Sequence, residues 1–167
     1  MAKHKHGAGG PTRAIEALEA AGVDFEVREY EHSARARSFG EEAAAQTGAD
    51  PSQLFKTLMV RLDTGEFVVG VVPVDHRLSM KAIARAAGAK SAEMADPAVA
   101  QRRTGYVVGG ISPLGQTTRH RTFLDDSALD HETIMVSGGK RGLQVEVSPL
   151  DLAEVTGAEA ADLRAVD

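Results

Sequence analysis

The 167-residue chain contains no cysteine, which removes disulfides, zinc–thiolate sites and any mechanism in which the protein supplies a thiol nucleophile. No apolar run approaches the ~20 residues that a membrane helix needs, and the opening MAKHKHGAGG has no apolar secretion core. Both absences lead to the expectation of a soluble, cytoplasmic protein. A net charge of −5 argues against a broad basic face, and so against stable DNA binding. Only short basic clusters are left, Arg102–Arg103, Arg119–His120–Arg121 and Lys140–Arg141, each of which would either touch a few phosphates or simply be solvated. The usual enzyme templates are missing too. SGGKRG lacks phosphate-loop spacing and precedes a strand, no histidine pair suits a metal on one helix, and there is no Gly-x-Ser-x-Gly elbow. No cofactor or metal is expected.

What is present reads as one mixed α/β domain over residues 11–167, with a largely antiparallel or mixed sheet flanked by short helices, after a disordered arm over residues 1–10. TRAIEALEAAG has Thr12 as N-cap and Gly22 as stop. VDFEVREY alternates, with Val23, Phe25 and Val27 on one face and Tyr30 on the polar one. Two further helix starts are expected, from a Ser38–Glu41 capping box and from Asp50–Pro51. FKTLMVRL then reads as a strand, and GEFVVGVVPV as a central one entered through the turn Asp63–Thr64–Gly65. Helices follow at LSMKAIARAAG and DPAVAQRRTG, and a last helix begins at Ser148–Pro149, after TIMVSGGKRGLQVEV, in which Leu143, Val145 and Val147 alternate with Gln144 and Glu146.

Three features invite chemistry. Lys56 shares a parity with Leu58, Val60 and Leu62, a costly place for an ammonium unless it reaches a partner or a cleft, or snorkels at the sheet edge. Tyr30 and His32 share a parity where a strand runs into a loop, as a pocket mouth or as a surface pair. TGYVVGGISPLGQ and SGGKRG place adjacent glycines in turns. Their backbone amides either converge on an oxyanion or serve only the turn geometry.

FKTL, VPVDHRLSMKAIARAAGAKSAEMADP, TGYVVGGISPLGQ and VSGGKRGLQVEV, in that order, closely resemble the YbaK family of Cys-tRNA(Pro) deacylases, relatives of the editing domain inserted in bacterial prolyl-tRNA synthetases. The resemblance runs from about Thr12 to about residue 160. It implies a free-standing editing hydrolase whose partners are mischarged tRNA, through its aminoacyl 3′ end, and prolyl-tRNA synthetase. It also implies that the substrate's own thiol attacks the ester carbonyl. By this resemblance Lys56, Gly109 and Gly110 are catalytic, and Tyr30, His32, Phe39, Ser112, Pro113, Ser137, Gly138 and Gly139 hold substrate. Gln144 departs from it, standing where some relatives have an acidic residue. A deacylase for alanine or another small amino acid that activates water, and a non-catalytic module that binds a synthetase or an aminoacyl end, are the alternatives.

Overall fold

Capping residues bound the helices as their chemistry dictates. In the computed structural model, which describes residues 11–30 and 50–166, Thr12 accepts the Ile15 N–H at 3.2 Å and Gly22 turns left-handed, so α1 spans Arg13–Ala21. Ser79 and Asp96 cap α2 (Met80–Ala87) and α3 (Pro97–Thr104), which end at Gly88 and Gly105. The last helix, α4 (Pro149–Thr156), ends at Gly157. None of the described helices is long and apolar enough to cross a membrane. The expected arm over residues 1–10 and the capping box at Ser38 lie outside the described residues.

The strands divide between two sheets rather than gathering in one. β1 (Phe25–Glu29), β7 (Leu143–Val147) and β6 (Ile134–Ser137) form an antiparallel sheet in the order β1-β7-β6. The second sheet is mixed, in the order β4-β2-β3-β5-β8, with β4 at Ala92–Met94, β2 at Phe55–Leu62, β3 at Phe67–Pro73, β5 at Thr122–Asp125 and β8 at Glu159–Ala161. In it β2 is antiparallel to both β3 and β4, whereas β5 is parallel to both β3 and β8.

The continuous apolar run of β3 takes the central place expected of it, because both of its faces are buried. Val69 and Val71 join Phe55 and Met59 in a core shared with α1, α4 and the three-stranded sheet. Val68 and Val72 join Val60, Leu62 and Ile83 of α2 in a second core on the opposite face.

Two features depart from the sequence reading. Asp50–Pro51 does not start a helix. The Asp50 carboxylate accepts from Ser52 N–H at 2.9 Å and from Ser52 Oγ at 2.8 Å, closing an Asx turn that leads straight into β2. Burial of Leu54 and Phe55, at 1% and 2% exposure, holds the following backbone extended. The three-residue strands β4 and β8 were not anticipated, since so short a stretch shows no period.

Candidate active site

The cavity that could hold a substrate is produced by a gap in strand pairing. β3 covers one edge of β2 from Phe55 to Arg61. Along the other edge, β2 meets β4 only over Val60–Leu62, with Ala95 N–H on Met59 C=O at 3.0 Å. The preceding residue, Leu54, bridges Met135 of β6 in the other sheet. Between these contacts roughly four residues of strand edge, or ~14 Å at the antiparallel rise, have no strand partner among the described residues. There a cavity of about 360 Å³ opens, within the size range of small-ligand sites. Its other walls are the β4–α3 connection, the loop at Val108, Gly109 and Ile111, and one end of the three-stranded sheet.

Tyr30, Lys56, Gly109 and Ser137 of the expected site all line this cavity. Lys56 is half-buried and stands opposite Val72, and its neighbours of like parity, Val60 and Leu62, enter the second core. Tyr30 continues the polar face of β1, and its ring packs against Leu54 and Met135. Ser137 and Gln144 face each other across β6 and β7, and so project from the same side of that sheet into the cavity.

The remaining glycine-loop residues shape the wall without lining it. Gly110 N–H donates to Val107 C=O at 2.9 Å, so it is not a donor aimed at substrate; this corrects half of the expected amide pair. Gly109, at φ +89°, has no partner for its N–H among the described residues. Gly110 acts sterically, since a Cβ there would lie 2.8 Å from Lys140 Cα and 2.9 Å from Arg141 N. Ser137 Oγ donates to Gly110 C=O at 2.9 Å and accepts from Gly139 N–H at 3.1 Å, tying the two loops together. Gly138 N–H donates to Leu143 C=O at 2.8 Å in the β6–β7 turn. Ser112 and Pro113 are buried beneath the loop, with Ser112 Oγ accepting from Leu114 N–H at 3.2 Å. Tyr106 OH donates to Leu114 C=O at 2.5 Å and pins the same loop, while burial pushes its phenol up to about 12. His32 and Phe39 lie outside the described residues.

Two further polar residues belong to the cavity, Thr57, which the sequence reading passed over, and Gln144, which it marked only as a departure from the family resemblance. Thr57 Oγ1 and Gln144 Oε1 both line it, and both are buried without a hydrogen-bond partner among the described residues. Such atoms are costly to bury unpaired and are rare unless a ligand or water completes them. Thr57 offers its backbone as well. Leu62 N–H points to Glu66 on the β3 side and Met59 C=O to Ala95 on the other. The alternation of the ladder therefore turns Thr57 N–H and C=O to the open edge. For Thr57, only strand parity combined with knowledge of which edge is free would have found it.

The aminoacyl-tRNA editing domain model matches residues 34–155. The chain is 32% identical over 153 residues to an Enterococcus faecalis protein named as a proposed Cys-tRNA(Pro)/Cys-tRNA(Cys) deacylase, EbsC, covering 91% of this chain and 92% of that one. Among solved structures, a proposed trans-editing enzyme for prolyl tRNA synthetase superposes with a TM-score of 0.81 at 29% identity, covering 92% of this chain and 96% of the other. The hypothetical protein APE2540 does so with a TM-score of 0.82, also at 29% identity, covering 92% and 100%.

Proposed function

The chain belongs to the aminoacyl-tRNA editing domain family, and on that premise we propose that it is a trans-editing deacylase that hydrolyses cysteine wrongly esterified to proline tRNA. The observation behind this reading is the meeting of Lys56, Gly109 and the polar atoms of Thr57 and Gln144, which have no partner among the described residues, in one cavity, in a chain without cysteine. The protein has no thiol to offer, so a reaction through sulfur draws on the substrate's own thiol, as the family resemblance implies.

In this mechanism the cysteinyl sulfur attacks its ester carbonyl, and a carbon–sulfur bond replaces the bond to the ribose oxygen. The thiol proton passes to that leaving oxygen, and water then opens the resulting thiolactone to free cysteine. The protein's part is to hold the ester in attack geometry and to meet the charge on the carbonyl oxygen. Gly109 N–H and Thr57 N–H are the candidate donors to that oxyanion, and the Lys56 ammonium adds positive charge beside it. Gln144 Oε1 and Thr57 Oγ1 are acceptors suited to the substrate's α-ammonium.

Selection of the tRNA is assigned to a complex with prolyl-tRNA synthetase, in keeping with the acidic balance of the chain and with the function named for its structural relative. Its place of action is the cytoplasm.

The test is single-turnover deacylation of Cys-, Ser- and S-methyl-Cys-tRNA(Pro). A pocket that judges size alone discriminates by about 1–3 kcal/mol per methylene, whereas a reaction through sulfur separates cysteine from serine by chemistry. Cys-tRNA is expected to be cleaved at least about a hundredfold faster than either of the other two. Comparable rates for all three would replace this mechanism with water activation.

A further inference from the structure

A second cleft lies away from the cavity, and its side chains are held for a purpose the deacylation site does not use. It encloses about 550 Å³ and is lined by the turn at Glu66–Phe67, the end of α3 at Arg103, the run Arg119–Arg121 and the end of α4 at Thr156–Gly157. Two of the basic clusters seen in the sequence, remote from each other in the chain, thus face one space.

Arg103 in this cleft is not a loose surface cation. Its guanidinium carbon sits 4.6 Å from the centroid of the Phe67 ring, and its Nε–H donates to His120 Nε2 at 3.1 Å. His120 is itself only 8% exposed. Gln116 Nε2 donates to Ser112 C=O at 3.0 Å, which leaves Gln116 Oε1 to accept from His120 Nδ1–H at 2.8 Å. The network therefore assigns the neutral Nδ1–H tautomer, with Nε2 as the acceptor for Arg103. Burial, and then the neighbouring Arg103, hold the imidazole below its ordinary range, in agreement with that tautomer.

An arginine fixed by an aromatic face and a neutral histidine keeps its full charge and its outer N–H groups for something else. Among the described residues neither Arg103 nor Arg119 has a carboxylate partner, whereas Arg121 is engaged bidentately by Glu66 at 2.8 and 2.9 Å. A guanidinium with no carboxylate, pre-oriented at a cleft, matches the fork geometry of phosphate. The same helix serves both sites. Pro97 and Ala100 of α3 line the cavity and Arg103 lines the cleft. Six residues of helix rise ~9 Å, which a nucleic-acid strand crosses in about three steps of ~3.4 Å.

We propose that this cleft, through Arg103 and Arg119, binds the phosphodiester backbone of the RNA whose aminoacyl end enters the cavity. The proposal rests on the deacylase reading for the identity of the RNA, but not for the presence of the phosphate site.

Fluorescence anisotropy of the full chain with a labelled RNA hairpin bearing a single-stranded 3′ end, measured from about 50 to 200 mM salt, tests it. The double variant Arg103→Gln, Arg119→Gln should bind about tenfold more weakly and lose about 1.4–1.8 from the slope of log K against log salt, the value of two phosphate contacts. Its hydrolysis of 3′-O-cysteinyl adenosine, which has no backbone to grip, should match that of the unaltered protein, which also shows that the variant is folded. Glu66→Gln frees Arg121 and should do the opposite, tightening RNA binding and steepening the slope. RNA binding that neither variant moves would overturn the proposal, as would binding of inorganic phosphate without binding of the hairpin. If no aminoacyl ester is hydrolysed while hairpin binding follows the cleft variants, the deacylase reading fails and the cleft stands.

Discussion

Lys56 illustrates how one side chain is separated from the packing around it. Leu58, Val60 and Leu62, of like parity, pack in or against the second core, but Lys56 lies at the end of β2 where the open edge begins, and it lines the cavity instead. Methionine fits such a place, since it keeps most of the apolar stem. Lys56→Met should lower single-turnover deacylation by about a hundredfold or more, the scale of losing one oxyanion contact, while thermal unfolding stays within a few degrees of the parent. An active Lys56→Met, or an unfolded one, would make the residue structural.

His120 carries a prediction of a different kind. Its folded-state pKa lies below the ordinary imidazole value, from burial first and Arg103 second, so the unfolded chain takes up the proton more readily. The stability it contributes is full above the unfolded value of ~6.5 and is lost as pH falls from there through the folded pKa. Melting temperature should therefore drop as pH falls below about 7, and His120→Gln, which does not titrate, should flatten that drop. An equal drop in both proteins would refute the assignment. At this scale Lys56 and Tyr30 were legible because period-two alternation exposes a polar residue on an apolar face, or an aromatic residue on a polar one. Thr57 was not, because a small hydroxyl between Phe55 and Met59 on a core-facing parity is unremarkable until that stretch of strand edge is seen to lack a partner among the described residues; Gln144 was marked only as a departure from the family resemblance.

Among the elements, the two glycine loops work as one object. Gly110 lies against the backbone of Lys140 and Arg141, and Ser137 Oγ bonds both loops. A methyl group at Gly110 cannot be absorbed by a side-chain rotation, because what it meets is main chain. Gly110→Ala should cost about 1–3 kcal/mol from overpacking, or ~2–12 °C in melting temperature for a domain of this size, and should lower kcat/KM by displacing Gly109. Calorimetry together with deacylation kinetics checks both. A variant with unchanged melting temperature and rate would show that the loops do not depend on this contact. The sequence marks these loops as special through paired glycines, yet it does not say whether an amide faces a ligand or a neighbour. That distinction separates Gly109 from Gly110. Helix bounds were legible where cap and stop agreed, as at Ser79 and Gly88. Asp50 misled because an Asx turn and an N-cap use the same side-chain chemistry, and only the burial of Leu54 and Phe55 in extended backbone tells them apart.

At the scale of the whole molecule, mixed strands and short helices were readable from the order of the periodic segments. Their division into two sheets was not, because strand partners such as β1 and β7 are far apart in sequence: Phe25 pairs with Val147. The division matters because the cavity lies where the sheets part, with β2 as one wall and Tyr30, Ser137 and Gln144 of the other sheet's end facing it. A ligand there bonds to both sheets, where the protein itself offers the short bridge between Leu54 and Met135 and the shared core. Occupancy should then stabilise the molecule as a whole. With cysteinyl adenosine in which an amide replaces the ester, at a concentration 100 times its dissociation constant, linkage gives about 2.7 kcal/mol, or ~5–11 °C at 2–4 °C per kcal/mol. Hydrogen exchange should slow on β2 and β7 together, with the largest change at Thr57, whose N–H at the open edge gains a partner. Slowing confined to the β6–β7 turn, with β2 unchanged, would mean that the ligand sits against one sheet only and that the gap along β2 is not its site.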